Sequence, residues 1–249
     1  MRRGTDILIA LGGEEALARD GLGVVRIAQL VGHEKSQVSR ALTALAASGL
    51  VDRDPQSRAY RLGWRLFALA ARSGRPRLIS LAPSTLRRLV ADYGETVHLS
   101  VLDGSQVLTL LSEGPSTAIK ATGWSGRTVP VTCTSSGRAL LLDHDRLALG
   151  AIVDQASFAG LGPNAPHDAD ELHRRICAAR EQGYALVDEE FEPGLVGVAA
   201  PVRDFSGQIM AVLNVSGPKF RLDGRLGSAG EDLRRAADAL SNAMSARLP

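Results

Sequence analysis

The sequence predicts an α+β protein: a winged helix-turn-helix over residues 1–63, a linker helix over 64–76, and a larger domain over 77–249 built on an antiparallel sheet. Three observations predict it. Helical periodicity over roughly residues 4–48 runs straight into a short hairpin. The stretch Ser73-Gly74-Arg75-Pro76 breaks the chain where a domain boundary would fall. Beyond it, apolar strands come in pairs around tight turns, which favours hairpins over parallel crossovers.

In the first domain, Ile7, Leu8, Leu11 and Leu17 recur at helical spacing, with Gly12-Gly13 as a kink or end. A second helix runs from Val24 to Val31 with Ile27, Ala28 and Val31 on one face, and Gly32 supplies the left-handed residue that ends it. A third runs from Lys35 to Ser48 and buries Val38, Ala41, Leu42 and Leu45. Ala28, Gly32 and Val38 give the small residue, turn glycine and apolar anchor that a helix-turn-helix requires. The opposite face of the third helix carries Lys35, Ser36, Gln37, Ser39, Arg40 and Thr43. Gln and Arg read base edges in the major groove, and Ser and Thr hold phosphates. A solvated face of an ordinary helix bundle is the competing interpretation. Leu50–Arg53 and Ala59–Leu62 then form a hairpin, the wing, which sets Arg53, Arg58 and Arg61 beside a sugar-phosphate backbone. The linker helix follows, with apolar Leu66, Phe67 and Ala70.

In the larger domain, Leu81–Ala91 is amphipathic, and Thr96–Leu102 and Gln106–Leu111 flank the hairpin signal Asp103-Gly104. Leu195–Val202 and Gln208–Val215 form a second hairpin, and helices are expected at Asp168–Gln182 and Leu226–Arg247. Gly160-Leu161-Gly162-Pro163 has the wrong spacing for a dinucleotide or phosphate loop, so no cofactor is expected.

Composition narrows the classes further. Across 249 residues, 45% are hydrophobic and 22% charged, with 26 Gly and 11 Pro, which excludes collagen-like and low-complexity chains. No apolar run approaches the roughly 18 residues of a membrane span, and the N-terminus lacks a signal-peptide pattern. Two cysteines, Cys133 and Cys177, make no disulfide framework and suit a reducing cytoplasm. The net charge of +2 hides an asymmetry: residues 1–75 carry twelve Lys and Arg against seven Asp and Glu, and the remainder is net acidic. A basic block joined to an acidic one suggests nucleic acid at one end.

The short motifs, taken in order, resemble the IclR family of bacterial transcriptional regulators. They are Val38-Ser39-Arg40-Ala41-Leu42, Gly49-Leu50-Val51, Tyr60-Arg61-Leu62-Gly63, Gly94-Glu95-Thr96-Val97-His98-Leu99 and Leu102-Asp103-Gly104. Further on come Gly126-Arg127-Thr128-Val129-Pro130, Gly137-Arg138-Ala139-Leu140-Leu141, Gly183-Tyr184, Asp188-Glu189-Glu190, Ala199-Ala200-Pro201-Val202 and Val215-Ser216-Gly217-Pro218. The resemblance implies a GAF-like effector-binding domain, double-stranded DNA with a near-palindromic operator as partner, and homodimers that often pair as homotetramers. It also implies an effector pocket at Ser135, Ser136, Val187, Leu195, Gly197, Asn214 and Ser216, with Trp124 and Val129 as lids. Val187 and Gly197 stand where small-oxoacid-binding members carry an aspartate and a cysteine. Those departures predict a larger, more apolar pocket suited to an aromatic or longer-chain carboxylic acid, with the carboxylate at Ser135 and Ser136 and a distal polar group at Asn214 and Ser216.

Two other classes compete with a ligand-responsive regulator. An enzyme with a DNA-binding appendage would use Cys133 or Ser135 as nucleophile, although no motif ties a general base to that segment. A redox or metal sensor would use Cys133, Cys177 and His173, the last two four apart on one helix. His98, in a strand, is expected to be structural.

Overall fold

A computed structural model of the chain describes residues 2–71, 76–115, 124–154, 158 and 162–245. It divides into two compact units, Met1–Pro76 and Arg77–Pro249. The expected break at Ser73-Gly74-Arg75 and the end of the last helix at Arg247 lie outside the described residues, as do the Phe67 and Ala70 side chains.

Unit 1 begins with α1 (Arg2–Gly12) and α2 (Glu14–Ala18), separated at Gly13, so the apolar stripe of α1 does not continue to Leu17. Leu17 is exposed and Ala16 is buried in its place. Next come α3 (Val24–Val31) and α4 (Lys35–Ala47). Gly32 adopts the left-handed conformation at φ 66° and lets the His33 N–H donate to Ala28 O, closing α3 and turning the chain into α4. Ile7, Leu11, Ile27, Val38, Leu42, Val51 and Tyr60 share one core. The wing pairs β1 (Val51–Arg53) with β2 (Tyr60–Leu62) in antiparallel register, Val51 opposite Leu62. Leu22 extends it, exchanging both backbone hydrogen bonds with Tyr60 at 2.8 and 2.9 Å. At the wing tip, Asp54 Oδ1 accepts from the Gln56 and Ser57 N–H groups, and Arg58 takes a positive φ of 57°. Helix α5 (Trp64–Ala71) follows.

Unit 2 opens with α6 (Pro76–Tyr93), which starts five residues before the expected amphipathic segment and carries Pro83 inside it. Six strands follow: β3 (Thr96–Asp103), β4 (Gln106–Glu113), β5 (Thr128–Pro130), β6 (Ala185–Asp188), β7 (Leu195–Arg203) and β8 (Ile209–Pro218). They make one sheet in the order β5-β4-β3-β8-β7-β6, every neighbouring pair antiparallel. Two three-stranded meanders are thus joined along β3 and β8. Between β5 and β6 lie α7 (Ser135–Leu140), α8 (Arg146–Ile152) and α9 (Ala169–Gln182), and α10 (Lys219–Leu222) and α11 (Leu226–Ser245) close the chain. No described helix is long and apolar enough to cross a membrane.

Helices cover both faces of this sheet, and strand alternation sorts the side chains between them. Val97, Leu99, Val196, Val198, Ala200, Leu213 and Val215 pack with α6 and α11 in one core. Val107, Ala185, Ala199 and Val212 pack with residues of α7, α8 and α9 in a second. The same face as the second core carries a row of polar side chains, and there the sheet does not close on its helices.

Candidate functional site

A cavity of about 280 Å³ opens between that face of the sheet and the first turn of α7. Trp124, Val129, Ser135, Ser136, Val187, Leu195, Gly197, Asn214 and Ser216 all line it, so the structure brings together every residue carried over from the resemblance. It adds Thr96, His98, Ser100, Val107, Thr109, Thr134, Phe191, Glu192 and Val196. Several additions were legible as a pattern. Thr96, His98 and Ser100 alternate with Val97, Leu99 and Val101, and in a strand covered on both faces a polar row needs partners or a cavity.

Register explains how distant residues meet. Val187 of β6 lies opposite Gly197 of β7, Gly197 opposite Ser216 of β8, and Ser216 opposite Thr96 of β3. These four positions form one row across the sheet. In the neighbouring row, Asn214 lies opposite both His98 and Ala199.

The α7 side is fixed by capping and by close approach. Thr134 Oγ1 accepts from the Gly137 N–H at 3.1 Å and donates to Pro130 O at 2.9 Å. Below the helix, Arg138 is buried and paired with Glu190, which also meets Arg175 at 3.1 Å. Arg138 further donates to Leu186 O on β6. This network stitches α7 to the β6 edge and holds Ser135 and Ser136 over the sheet.

Two expectations about the cavity change. Asn214 Nδ2 already donates to Ser135 Oγ at 2.7 Å and to Val198 O at 3.1 Å, so it orients the serine rather than offering a free donor. The volume released at Gly197 is also partly taken: a Cβ there would stand 3.1 Å from Ser135 Oγ. Val187, buried at the sheet's edge strand, remains an apolar wall. His98 is 8% exposed, its Nδ1 has no hydrogen-bond partner among the described residues, and its ring lies tilted 5.8 Å from that of Trp124.

The Cys133 nucleophile and the Cys133–Cys177–His173 set are not assembled into a site among the described residues. Cys133 is fully buried outside the cavity lining, and burial pushes its thiol up to about 11, away from thiolate chemistry. Cys177 Sγ lies 3.7 Å from His173 Nε2, but among the described residues no three metal-ligating side chains cluster.

In unit 1, Lys35, Ser36, Ser39, Arg40 and Thr43 are exposed on α4 and Gln37 is half-buried beside them. Lys35 and Arg40 make no ion pair with any described residue, which leaves them available. On the wing, Arg58 is exposed at the tip, and Arg53 lies over the Tyr60 ring at 5.3 Å. Arg61 is placed differently from the other wing arginines. Its guanidinium bridges Asp20 at 3.0 Å and Asp54 at 3.2 Å, so most of its charge is already neutralised within the unit.

A winged helix with an exposed polar recognition helix, on one chain with a unit that encloses a cavity of small-molecule size, is the make-up of a ligand-responsive DNA-binding regulator. Residues 2–55 match the IclR helix-turn-helix domain, and residues 73–242 match the bacterial transcriptional regulator IclR C-terminal domain. The chain belongs to the IclR family of bacterial transcriptional regulators. It is 33% identical over 232 residues to the HTH-type transcriptional regulator BhcR of Paracoccus denitrificans, covering 91% of this chain and 82% of that one. Among solved structures it is similar to an IclR regulator from Alicyclobacillus acidocaldarius, with 25% identity, a TM-score of 0.73 and 98% of each chain covered. It is also similar to an IclR homologue from Microbacterium hydrocarbonoxydans complexed with 4-hydroxybenzoate, with 25% identity, a TM-score of 0.71, and 90% and 91% covered. Its relatives are named as regulators, and it is a regulator rather than an enzyme.

Proposed function

We propose that the cavity of unit 2 binds an aromatic carboxylic acid and that this binding controls operator recognition by α4 and the wing. The observation that carries the reading is the lining itself, which combines the hydroxyls of Thr96, Ser135 and Ser136 with the apolar side chains of Trp124, Val129, Val187 and Leu195. A polar end and an apolar body of ligand would each find matching groups. The volume of about 280 Å³ sits near the lower end of the roughly 300–1,000 Å³ of small-molecule pockets, which suits a single-ring acid. The Microbacterium relative, complexed with 4-hydroxybenzoate, supports the class. Calorimetric titration with 4-hydroxybenzoate, benzoate and glyoxylate tests it. The expected result is micromolar binding of the aromatic acids; tight glyoxylate binding with no response to the benzoates would sink the reading.

The DNA-reading part has its own test. Two copies of the chain would present two α4 helices, so sites selected from a random pool should be near-palindromic. On a selected site, Arg40→Ala should lower affinity by about 10–100-fold, the effect of losing one bidentate base contact, while leaving bulk DNA binding nearly unchanged. Arg58→Ala should weaken both DNAs alike and flatten the salt dependence by about one counterion. Equal losses on both DNAs for Arg40→Ala would remove its base-reading role. Arg61, held by Asp20 and Asp54, is expected to contribute less than Arg58 to phosphate binding.

A further inference from the structure

We propose that His98 is the group that neutralises the acidic end of the effector, and that the effector therefore binds together with one proton taken up from solvent. The inference rests on the acid-binding reading of the cavity. It starts from a mismatch of charge. An ionised carboxylate entering a dry cavity needs a countercharge or several strong donors. Among the described residues, the only ionised side chain lining the cavity is that of Glu192, exposed at the rim, and it has the wrong sign.

The charged groups of the surrounding elements are committed elsewhere. Arg138, in α7, is paired with Glu190. Arg127 stands over the Trp124 ring at 5.7 Å, outside the lining. Glu113, at the end of β4, pairs with Arg87. Facing His98 itself are Asn214 of β8, Ser112 of β4 in register, and the Trp124 indole, none of them a cation. Among the described residues, His98 is thus the one lining group that can become a cation near neutral pH.

His98 is also prepared for a partner it lacks. The residue is more than nine-tenths buried and lines the cavity, and its Nδ1 has no hydrogen bond to any described residue. An imidazole held at a cavity wall has little water to solvate a charge and gains from an anion placed beside its ring. Burial alone pushes the imidazole down to about 4, so it is neutral under ordinary conditions. A carboxylate alongside reverses the balance and favours the imidazolium. The proton comes from water or buffer and adds to the free ring nitrogen; no bond of the effector changes.

The full-length protein is titrated with 4-hydroxybenzoate in two buffers of different ionisation heat, which reads proton uptake directly. Uptake of about one proton per site is expected, with affinity falling about tenfold between about pH 5.5 and 6.5, where the ligand's carboxyl is already ionised. The slope should flatten above the bound-state imidazole's midpoint. In His98→Asn, which keeps a hydrogen-bonding side chain but cannot titrate, the pH slope and the uptake should both vanish. Binding without proton uptake by the unmodified protein overturns the proposal, and needs no variant to fold. Uptake that persists in His98→Asn also overturns it, because the proton then rides on the ligand or another group. Absence of any binding by 4-hydroxybenzoate or benzoate overturns the acid-binding reading and this proposal together.

Discussion

Glu190→Ala is expected to destabilise unit 2 by about 3–5 kcal/mol in denaturant-induced unfolding. Glu190 is 4% exposed and lies between two guanidiniums, those of Arg138 and Arg175. Arg138 is also 4% exposed. Removing the carboxylate leaves that buried cation with Leu186 O as an acceptor but no countercharge. The cost arises chiefly from desolvation of the orphaned charge, not from the strength of the pair. A double change, Arg138→Met with Glu190→Leu, should therefore recover a large part of the loss, since both charges leave together. Equal destabilisation in the single and the double variant would show that the network contributes through packing alone. Because α7 hangs on this pair, ligand affinity should fall along with stability in the single variant.

Gly137→Ala attacks the same helix through sterics. An added Cβ would fall 2.2 Å from Val131 O and 2.4 Å from Val131 Cα, and backbone atoms cannot move aside as a flexible side-chain tip could. The first turn of α7 would have to lift from the segment just after β5, taking Ser135 and Ser136 with it. Overpacking of this kind costs about 3 kcal/mol or more, which for a unit of this size lowers the melting temperature by roughly 6–12 °C. Binding of the proposed aromatic acid, read with 4-hydroxybenzoate, should be lost even at temperatures where the variant remains folded. A variant with near-normal melting and near-normal binding would mean that α7 does not need the close approach seen here.

Local chemistry made much of the first unit legible in advance. The sequence places the second helix at Val24–Val31, its observed span, because Gly32 reads as a turn between two amphipathic stretches. The hairpin around Asp103-Gly104 and the antiparallel class followed from turn residues in the same way. What escaped depends on contacts that leave no periodic trace. The Leu22–Tyr60 bridge is a single residue pair, too short to show alternation. The start of α6 was hidden by Pro83, which reads as a boundary although the helix runs through it. Strand β5 and helix α8 are only three and seven residues long, below the length at which a period can be counted. At the site, family motifs supplied the positions but not their relations. That Asn214 holds Ser135, that Ser135 fills the space over Gly197, and that His98 lacks a partner all depend on side chains up to 79 residues apart in sequence.

The row Val187–Gly197–Ser216–Thr96 has a consequence for how this sensor could acquire a new ligand. Adjacent positions in a row share one strip of space, so volume added at one must be given up by the next. Gly197→Ala alone would press on Ser135 Oγ and on Ser216 Cβ, 3.4 Å away, whereas the same change paired with Ser135→Gly would be accommodated. Ligand preference in this fold is therefore expected to drift by coupled exchanges between the sheet row and the α7 residues that face it, while the recognition helix, carried by the other unit, stays under separate selection.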